Sequence, residues 1–521
     1  MVAEQPTSTA TALQPCLLPG AGYLRSLAHR FLQRCGPAKC GQLAAVAQHF
    51  PGGLRVGTCC SGTDSPLMCW DAICEAIREN GLGDVRVRAV FASEKDKRKR
   101  EFLSHMRPRS THIFEDTVLL GEGIGIDLAS GKRVPCAIPS VHILVGGFPC
   151  TDVSPLNSKA SSTGNSSCIS SGSLSTGSCL QGILSYIRRH AAEIKVVVLE
   201  NVIGLLRRPN RARASNAAVV MKSLTDEGFM MKLWILNPQM FGAPQHRRRL
   251  WFIGMKRSLL AGTGISEAEA LGVLEQSMRR MVGGTEAQPL EAYLCSEKSE
   301  VVRRHLAECS VEGDWTMDVA LRASWGLYAP APHRAMRQAK QARHAEKGKQ
   351  EMPKWIAQHR ELCDKHGVDW ATLEAPDRMT RFIFPGLQKL GDREFDLLAL
   401  QGVRDYPEAQ TRIVDTSQAA IRVSTAKKKR KPGASFFDVD TPPGCPIITP
   451  GGRKYVTSRC RLLTGAEQLR FQNIWLDQEI MDSFPEHLLS DLAGNAFETS
   501  CCTAALFSVL EVLAHILSNR R

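Results

Sequence analysis

The stretch Val141–Ser154, VHILVGGFPCTDVS, decides how this chain is read. Val141, Ile143, Leu144 and Val145 form a short apolar run of the kind that makes a buried strand. Gly146 and Gly147 end it, and Phe148-Pro149-Cys150 presents a thiol just past the strand's carboxyl end. In open α/β sheets that edge is where ligands bind. A cysteine held there after a rigid proline is placed to be a nucleophile. Taken alone, it reads equally well as a small buried hydrophobe in a loop.

The residues upstream favour the nucleophile. Leu54–Thr58 is a short strand that runs into the small-residue turn Cys59–Pro66 and then the helical pattern Leu67–Arg78. Small side chains and free N–H groups at a helix N-terminus make a cradle for a nucleotide-like cofactor. A second strand, Arg86–Ala92, ends at Ser93-Glu94, where a carboxylate is placed to accept from both hydroxyls of a ribose. A third, Thr111–Phe114, ends at Glu115-Asp116. Three successive strand ends carrying Gly62, Glu94 and Asp116 are far more specific than any one of them. Ser26–Phe50 has apolar residues at helical spacing and is expected to cap this domain.

Downstream of Cys150, Asn157–Cys179 is dominated by Ser, Thr, Gly and Asn and reads as a loop able to close over a substrate. The helix Leu180–His190 follows, then the strand Lys195–Leu199, which delivers Glu200-Asn201-Val202 beside the Cys150 strand. A glutamate so placed can be partly desolvated, with a raised pKa, and share a proton with a ring nitrogen, though a structural salt bridge gives the same placement. After the strand Phe229–Leu236 comes Gln245–Gly254, QHRRRLWFIG, where alternation puts Arg247 and Arg249 on one face and Arg248 on the other. Such regular arginines suit a carboxylate or a phosphate, though a surface edge strand gives the same pattern.

Composition sets the frame. At 521 residues two domains are the natural division, and 43% hydrophobic with 23% charged residues is ordinary globular composition. No apolar run approaches the roughly 18 residues needed to span a bilayer, and the N-terminus has no secretory pattern. The excess of 66 Lys+Arg over 52 Asp+Glu, a net charge of +14, suits a polyanionic partner, nucleic acid first. Eighteen scattered cysteines form no CxxC pair and no Cys/His ladder, which points to reduced thiols inside a cell and to no metal.

The order of these motifs resembles the cytosine-5 DNA methyltransferases. Pro149-Cys150, Glu200-Asn201-Val202 and Gln245-x-Arg247-x-Arg249 appear in the family's order. Arg461-Leu462-Leu463-Thr464 with Glu467, Arg470 and Gln472 looks like its ninth motif, and Gly494-Asn495-Ala496-Phe497 like its tenth. The resemblance implies a doubly wound, Rossmann-like α/β domain that binds S-adenosylmethionine, with a smaller, irregular target-recognition domain. Residues 1–50 would be leader and capping helix, 51–256 the first part of the catalytic domain, 257–458 the target-recognition region and 459–521 the part that completes the catalytic domain.

It also implies roles. Cys150 would add to C6 of a cytosine flipped out of double-stranded DNA, Glu200 would serve N3, and Arg249 with Arg247 would orient Glu200 and the base. Cys60, Ser61, Gly62, Thr63, Glu94, Asp116, Pro149 and Asn495 would line the cofactor. Two positions depart from the family's first motif: Cys60 stands where a cofactor-contacting phenylalanine is usual, and Asp64 where a glycine is. A tRNA-acting relative would share the catalytic residues, and a catalytically inactive DNA-binding relative would fit the altered first motif.

Between about Lys256 and Ser458 no family motif appears. Trp315, Trp325, His333, Arg334, Arg337, Lys340, Arg343 and Trp355 offer stacking and phosphate contacts there, and Ala335–His366 is a highly charged helical run. The cluster Lys427–Lys431, KKKRK, reads as a nuclear import signal or a phosphate-contacting loop, which makes the nucleus the expected compartment. The apolar face of Thr499–Leu517 is expected to pack on the sheet of the first domain.

Overall fold

The structure is a computed structural model that describes residues 22–106, 112–154, 168–208, 214–309, 410–417 and 444–520, with residue 20 and isolated positions between 357 and 398. The tryptophans and basic residues singled out between Trp315 and Trp355, most of Ala335–His366, the Lys427–Lys431 cluster and the first part of the loop after Cys150 lie outside the described residues.

The chain divides into two compact units, Met1–Gln288 with Leu469–Phe484 and Asn495–Arg521, and Pro289–Gln468 with Pro485–Gly494. These limits differ from the expected 256/257 and 458/459. The helix Glu267–Met281 shares one apolar core with the C-terminal helix and therefore belongs to the first unit. Residues just after 458 stay with the second unit because Arg461–Leu462 (β12) pairs with Lys454–Val456 (β11), which pairs with Ile413–Asp415 (β10).

The first unit is built on a nine-stranded sheet of order β5-β4-β3-β2-β1-β6-β7-β9-β8. Its strands are Leu54–Cys59 (β1), Val87–Ser93 (β2), His112–Phe114 (β3), Ile124–Asp127 (β4), Val134–Ala137 (β5), Ile143–Gly146 (β6), Val196–Val202 (β7), Phe229–Leu236 (β8) and Arg249–Lys256 (β9). From β3 through β7 neighbouring strands are parallel, while β9 runs antiparallel to both β7 and β8. Chain order reverses between β1 and β6, so the crevice above their carboxyl ends is a topological switch point.

Alternation along the strands feeds two cores. Val56, Ile143, Val145, Val196, Val198, Trp251 and Ile253 pack against the helices Tyr23–Cys35, Ser65–Glu79, Glu267–Met281 and Thr499–Ser518. Phe91, Leu144, Val197, Leu199, Leu250 and Phe252 pack against Leu174–Arg189 and Asn216–Asp226. Helices on both faces make this a doubly wound α/β domain, and burial on both sides explains why its central strands read as continuous apolar runs.

Three expectations need correction. The capping segment is not one helix: Gly36, at φ 85°, ends Tyr23–Cys35, and after the short turn Pro37–Cys40 a second helix spans Leu43–His49. The helix expected at Leu180 begins at Leu174, and Cys168–Ser171 is helical as well, so the loop after Cys150 is shorter than its composition suggests. Finally, the 20-residue helix Thr499–Ser518 is long and apolar enough by composition to cross a bilayer. Nearly all of it is buried inside the first unit, so it is a core helix there.

Candidate active site

Parallel pairing ends at Cys59↔Gly146 and Leu199↔Gly146, so whatever follows on β1, β6 and β7 projects from one sheet edge. Gly147 N–H donates to Cys59 O at 3.3 Å, tying the β6 exit to β1. A Cβ on Gly147 would lie 2.7 Å from the Phe497 ring and 3.8 Å from Glu200 Oε2, so only glycine lets these groups converge. Cys150 then opens a tight turn in which Ser154 N–H donates to Cys150 O at 2.8 Å.

Glu200 lies on β7 one residue past the last β6 partner, which is why it faces the edge and not the core. On the other side β9 continues, with Val202 opposite Arg249. Glu200 and Arg249 therefore share a face on a diagonal, within reach of long side chains. Arg249 Nε lies 3.1 Å from Glu200 Oε1, and little of either side chain is exposed.

Arg247 is not on that strand, which begins at Arg249. It precedes it in an irregular segment, 3% exposed, with its backbone N–H donating to Asn237 Oδ1 at 3.0 Å and its guanidinium to Ala496 O at 2.8 Å. The expected pairing of Arg247 and Arg249 by strand alternation thus fails, yet both guanidinium charges act on Glu200 and Cys150.

The electrostatics are those of a closed pocket. Burial pushes the Cys150 thiol up; Arg249 and Arg247 pull it back, while Glu200 adds to the rise. Burial likewise raises the Glu200 carboxyl above the usual carboxylate range, against the pull of both arginines. Arg247 is pushed down to about 9, by burial first and by the neighbouring Arg249 charge, with Glu200 and Cys150 opposing. Such a group of mutually perturbed side chains at a sheet edge is the mark of an active site.

The predicted cofactor residues lie on the ends of β1, β2 and β3. Cys60, Gly62 and Asp64 all have positive φ (53°, 52° and 55°), so the turn is wound left-handed, and a Cβ on Gly62 would meet only a backbone oxygen at 4.0 Å. Glu94 is 9% exposed; its Oε2 accepts from Gly62 N–H at 3.0 Å and its Oε1 from Asp96 N–H at 3.0 Å. Each oxygen keeps a second lone pair for a hydroxyl donor.

Asp116 Oδ1 accepts from Val118 N–H at 3.0 Å, and Lys95 Nζ lies 3.3 Å from its Oδ2. Ser61 and Thr63 are turned inward: Ser61 Oγ bonds Thr58 and Ser93, and Thr63 Oγ1 bonds Ser65 Oγ, so only their backbones can face a ligand. Pro149 is partly exposed next to Cys150, and Asn495 is exposed, immediately before the Ala496 carbonyl that Arg247 binds. An open, left-handed turn below a carboxylate with spare acceptor capacity fits the adenosyl end of S-adenosylmethionine.

Two residues outside the predicted site hold it together. Asn201 Nδ2 donates to Phe148 O at 2.9 Å, clamping the β7 exit to the segment that carries Cys150. Asp152 Oδ2 accepts from Thr176 N–H (2.9 Å) and Thr176 Oγ1 (2.8 Å), anchoring the turn after Cys150 to the first turn of Leu174–Arg189. A buried asparagine within an apolar strand is a visible signal for the first; the second joins positions 24 apart and has no local one.

Residues 74–474 match the sequence profile of the C-5 cytosine-specific DNA methylase family. The chain is 25% identical over 473 residues to the DNA (cytosine-5-)-methyltransferase DMT5 of Cryptococcus neoformans, a match that covers 89% of this chain and 17% of that protein. It is 27% identical over 186 residues to the type II methyltransferase M.Sau3AI of Staphylococcus aureus, covering 36% of this chain and 42% of that one. The chain therefore spans well under two thirds of these relatives' lengths. Among solved structures, the S. pombe Dnmt2 methyltransferase aligns with 88% of this chain and 98% of its own at 11% identity and a TM-score of 0.38.

Proposed function

Because the chain belongs to the C-5 cytosine-specific DNA methylases, we propose that it transfers a methyl group from S-adenosylmethionine to C5 of cytosine in double-stranded DNA. The observation that carries this reading is the convergence of Cys150, Glu200, Arg247 and Arg249 at one sheet edge, where their charges act on one another.

Cytosine C5 is a poor nucleophile, and the pocket supplies what activates it. The Cys150 thiolate bonds to C6, and the electron pair displaced from the C5–C6 bond moves toward N3, where Glu200 donates its proton. Arg249 fixes Glu200 by the 3.1 Å contact, and Arg247 adds positive charge without leaving its anchor on Ala496. Their fixed charges stabilise the negative charge that addition pushes into the ring. S-adenosylmethionine, when bound, supplies the electrophilic methyl group. As C5 takes the methyl group the N3 proton returns to Glu200; a water molecule then accepts the C5 proton, the C5–H electron pair re-forms the C5–C6 double bond, and the C6–Sγ pair leaves with Cys150 as thiolate. These atoms are stacked inside a duplex, so the base must be flipped out to reach them.

The raised pKa values predict the pH profile. The active form needs Cys150 as thiolate and Glu200 protonated, which is the same proton count as thiol with carboxylate. Activity therefore rises as pH climbs through the elevated Glu200 pKa and falls again above the elevated Cys150 pKa. A plot of kcat/KM against pH should be a bell whose acid limb lies above the ordinary carboxylate range and whose alkaline limb lies above the ordinary thiol value. Glu200→Gln should lower kcat by about 10²–10⁴-fold and, with only the Cys150 thiol left to titrate, turn the bell into a single rise through the Cys150 pKa with no alkaline fall. An alkaline fall that survives in that variant would exclude Glu200 as the proton donor.

Transfer of labelled methyl from S-adenosylmethionine to duplex DNA, with tRNA as the parallel substrate, tests the reaction and its polymer together. Incorporation into cytosine C5 of DNA is expected. Incorporation into tRNA alone would reassign the substrate.

A further inference from the structure

The first motif's departure at Cys60 has a structural partner. Cys60 Sγ lies 3.3 Å from Cys179 Sγ, although the two are 119 positions apart, and 3.8 Å from Thr117 Oγ1. Cys179 is 5% exposed on the helix Leu174–Arg189. Cys60 is partly exposed, one of three such cysteines among the described residues, with Cys136 and Cys150.

We propose that Cys60 and Cys179 are a redox modification site, at which a hydroperoxide drives formation of a disulfide that closes the cofactor pocket. The second half rests on the reading of that pocket given above. The chemistry balances with hydrogen peroxide as oxidant. The partly exposed Cys60, as thiolate, attacks one peroxide oxygen, the O–O bond breaks, and Cys60 becomes a sulfenic acid as hydroxide takes up a proton and leaves as water. Cys179 sulfur then attacks Cys60 sulfur, the S–O bond breaks, and a second water carries off the Cys179 proton. Two thiols are oxidised and one peroxide is reduced.

Bonding requires the sulfurs to approach by about a further 1.3 Å, and the moving element has consequences. Cys60 belongs to the turn that presents Gly62, whose N–H is held by Glu94. Cys179 lies on the helix whose first turn Asp152 anchors, two residues after Cys150. A disulfide thus ties the floor of the cofactor pocket to the support of the nucleophile's turn. A phenylalanine at position 60 could form no such link, so the device is specific to the cysteine this chain carries. Linkage makes the effect reciprocal: whatever factor the disulfide takes from cofactor affinity, bound cofactor takes from the tendency to form the disulfide.

The test uses the full chain, treated with hydrogen peroxide and then with dithiothreitol. Peptide mapping without reduction should find Cys60 joined to Cys179 in the wild type, and no such peptide in Cys60→Ser or Cys179→Ala. S-adenosylmethionine affinity by calorimetry should fall about tenfold or more on oxidation and return with dithiothreitol. Cys179→Ala should bind as the reduced wild type does and ignore peroxide. Binding is read and not turnover, because peroxide also reaches Cys150.

Absence of the Cys60–Cys179 peptide would overturn the proposal. So would equal loss of affinity in Cys179→Ala, or a disulfide that leaves affinity unchanged. A reduced protein that binds no S-adenosylmethionine would refute the cofactor reading and with it the pocket-closing role. The peptide map, which needs no cofactor, still decides whether the two thiols pair.

Discussion

Replacing Cys150 by serine is expected to lower methyl transfer to duplex DNA by about 10⁴-fold or more, with S-adenosylmethionine binding left near that of the wild type. The hydroxyl is nearly isosteric, so the turn closed by Ser154 N–H and Cys150 O persists. What is lost is the thiolate. Burial raises the Cys150 pKa, and the Arg249 and Arg247 charges oppose that rise. A hydroxyl starts much higher, and the same field leaves it protonated. Single-turnover assays on the variant are the check. A residual rate within about tenfold of wild type would mean that no covalent bond to this residue lies on the path.

Arg461→Met is expected to destabilise the second unit by about 3–5 kcal/mol. Arg461 and Glu467 are both fully buried and joined by two contacts of 2.8 Å; Arg461 also reaches Glu297 at 2.8 Å. Glu467 further accepts from Thr464 N–H and Cys295 N–H, both at 2.8 Å. Burial alone would raise the Glu467 pKa, but Arg461 and these donors outweigh it and hold the carboxyl below its ordinary value. The stability this contributes is present above the unfolded-state pKa and is lost as pH falls through the lowered folded-state value.

Methionine fills the space but strands Glu467 as a buried charge, so the variant should also take up a proton there at higher pH. Urea unfolding at neutral pH measures the loss. Adding Glu467→Leu should recover part of it, because two apolar side chains no longer bury an unpaired ion. A loss below about 1 kcal/mol would mean the pair behaves as a surface bridge.

The parts of this molecule that could be read in advance are those where one physical cause acts locally. Phe229–Leu236 is a strand over the limits its apolar run suggests, and the run Val141–Val145 is the buried centre of the sheet. Cys150 lies beyond the end of the second run, and Glu200 one residue past the last β6 partner on β7, so both emerge at the same sheet edge.

Where causes act at a distance the reading fails. The hairpin of β4 and β5 went unrecognised: its strands are four residues each and carry exposed apolar side chains, Ile124 at 66%, so they lack the alternation of a half-buried pair. Its two strands pair with each other, and the Asp127 carboxylate ties them to β3, meeting His112 Nδ1 at 2.7 Å and accepting from Ile113 N–H at 2.9 Å. Leu174–Cys179 has loop composition and becomes helix because Asp152 caps it from 24 residues away. Arg247 reaches the site from an irregular segment whose course is fixed by Asn237 and Ala496. The Cys60–Cys179 contact has no local signal at all.

Covalent trapping on 5-fluorocytosine reports on the nucleophile directly. Fluorine at C5 blocks the elimination that would free the enzyme, so a thiolate that has added to C6 stays attached. Wild type and Cys150→Ser are incubated with S-adenosylmethionine and mixed-sequence duplex DNA carrying the fluorinated base, then denatured and resolved. The expected result is a denaturation-resistant adduct with the wild type, mapped to Cys150, and none with the variant. An adduct that persists in Cys150→Ser, or labelled methyl entering cytosine with no adduct in either protein, would contradict the covalent route through Cys150.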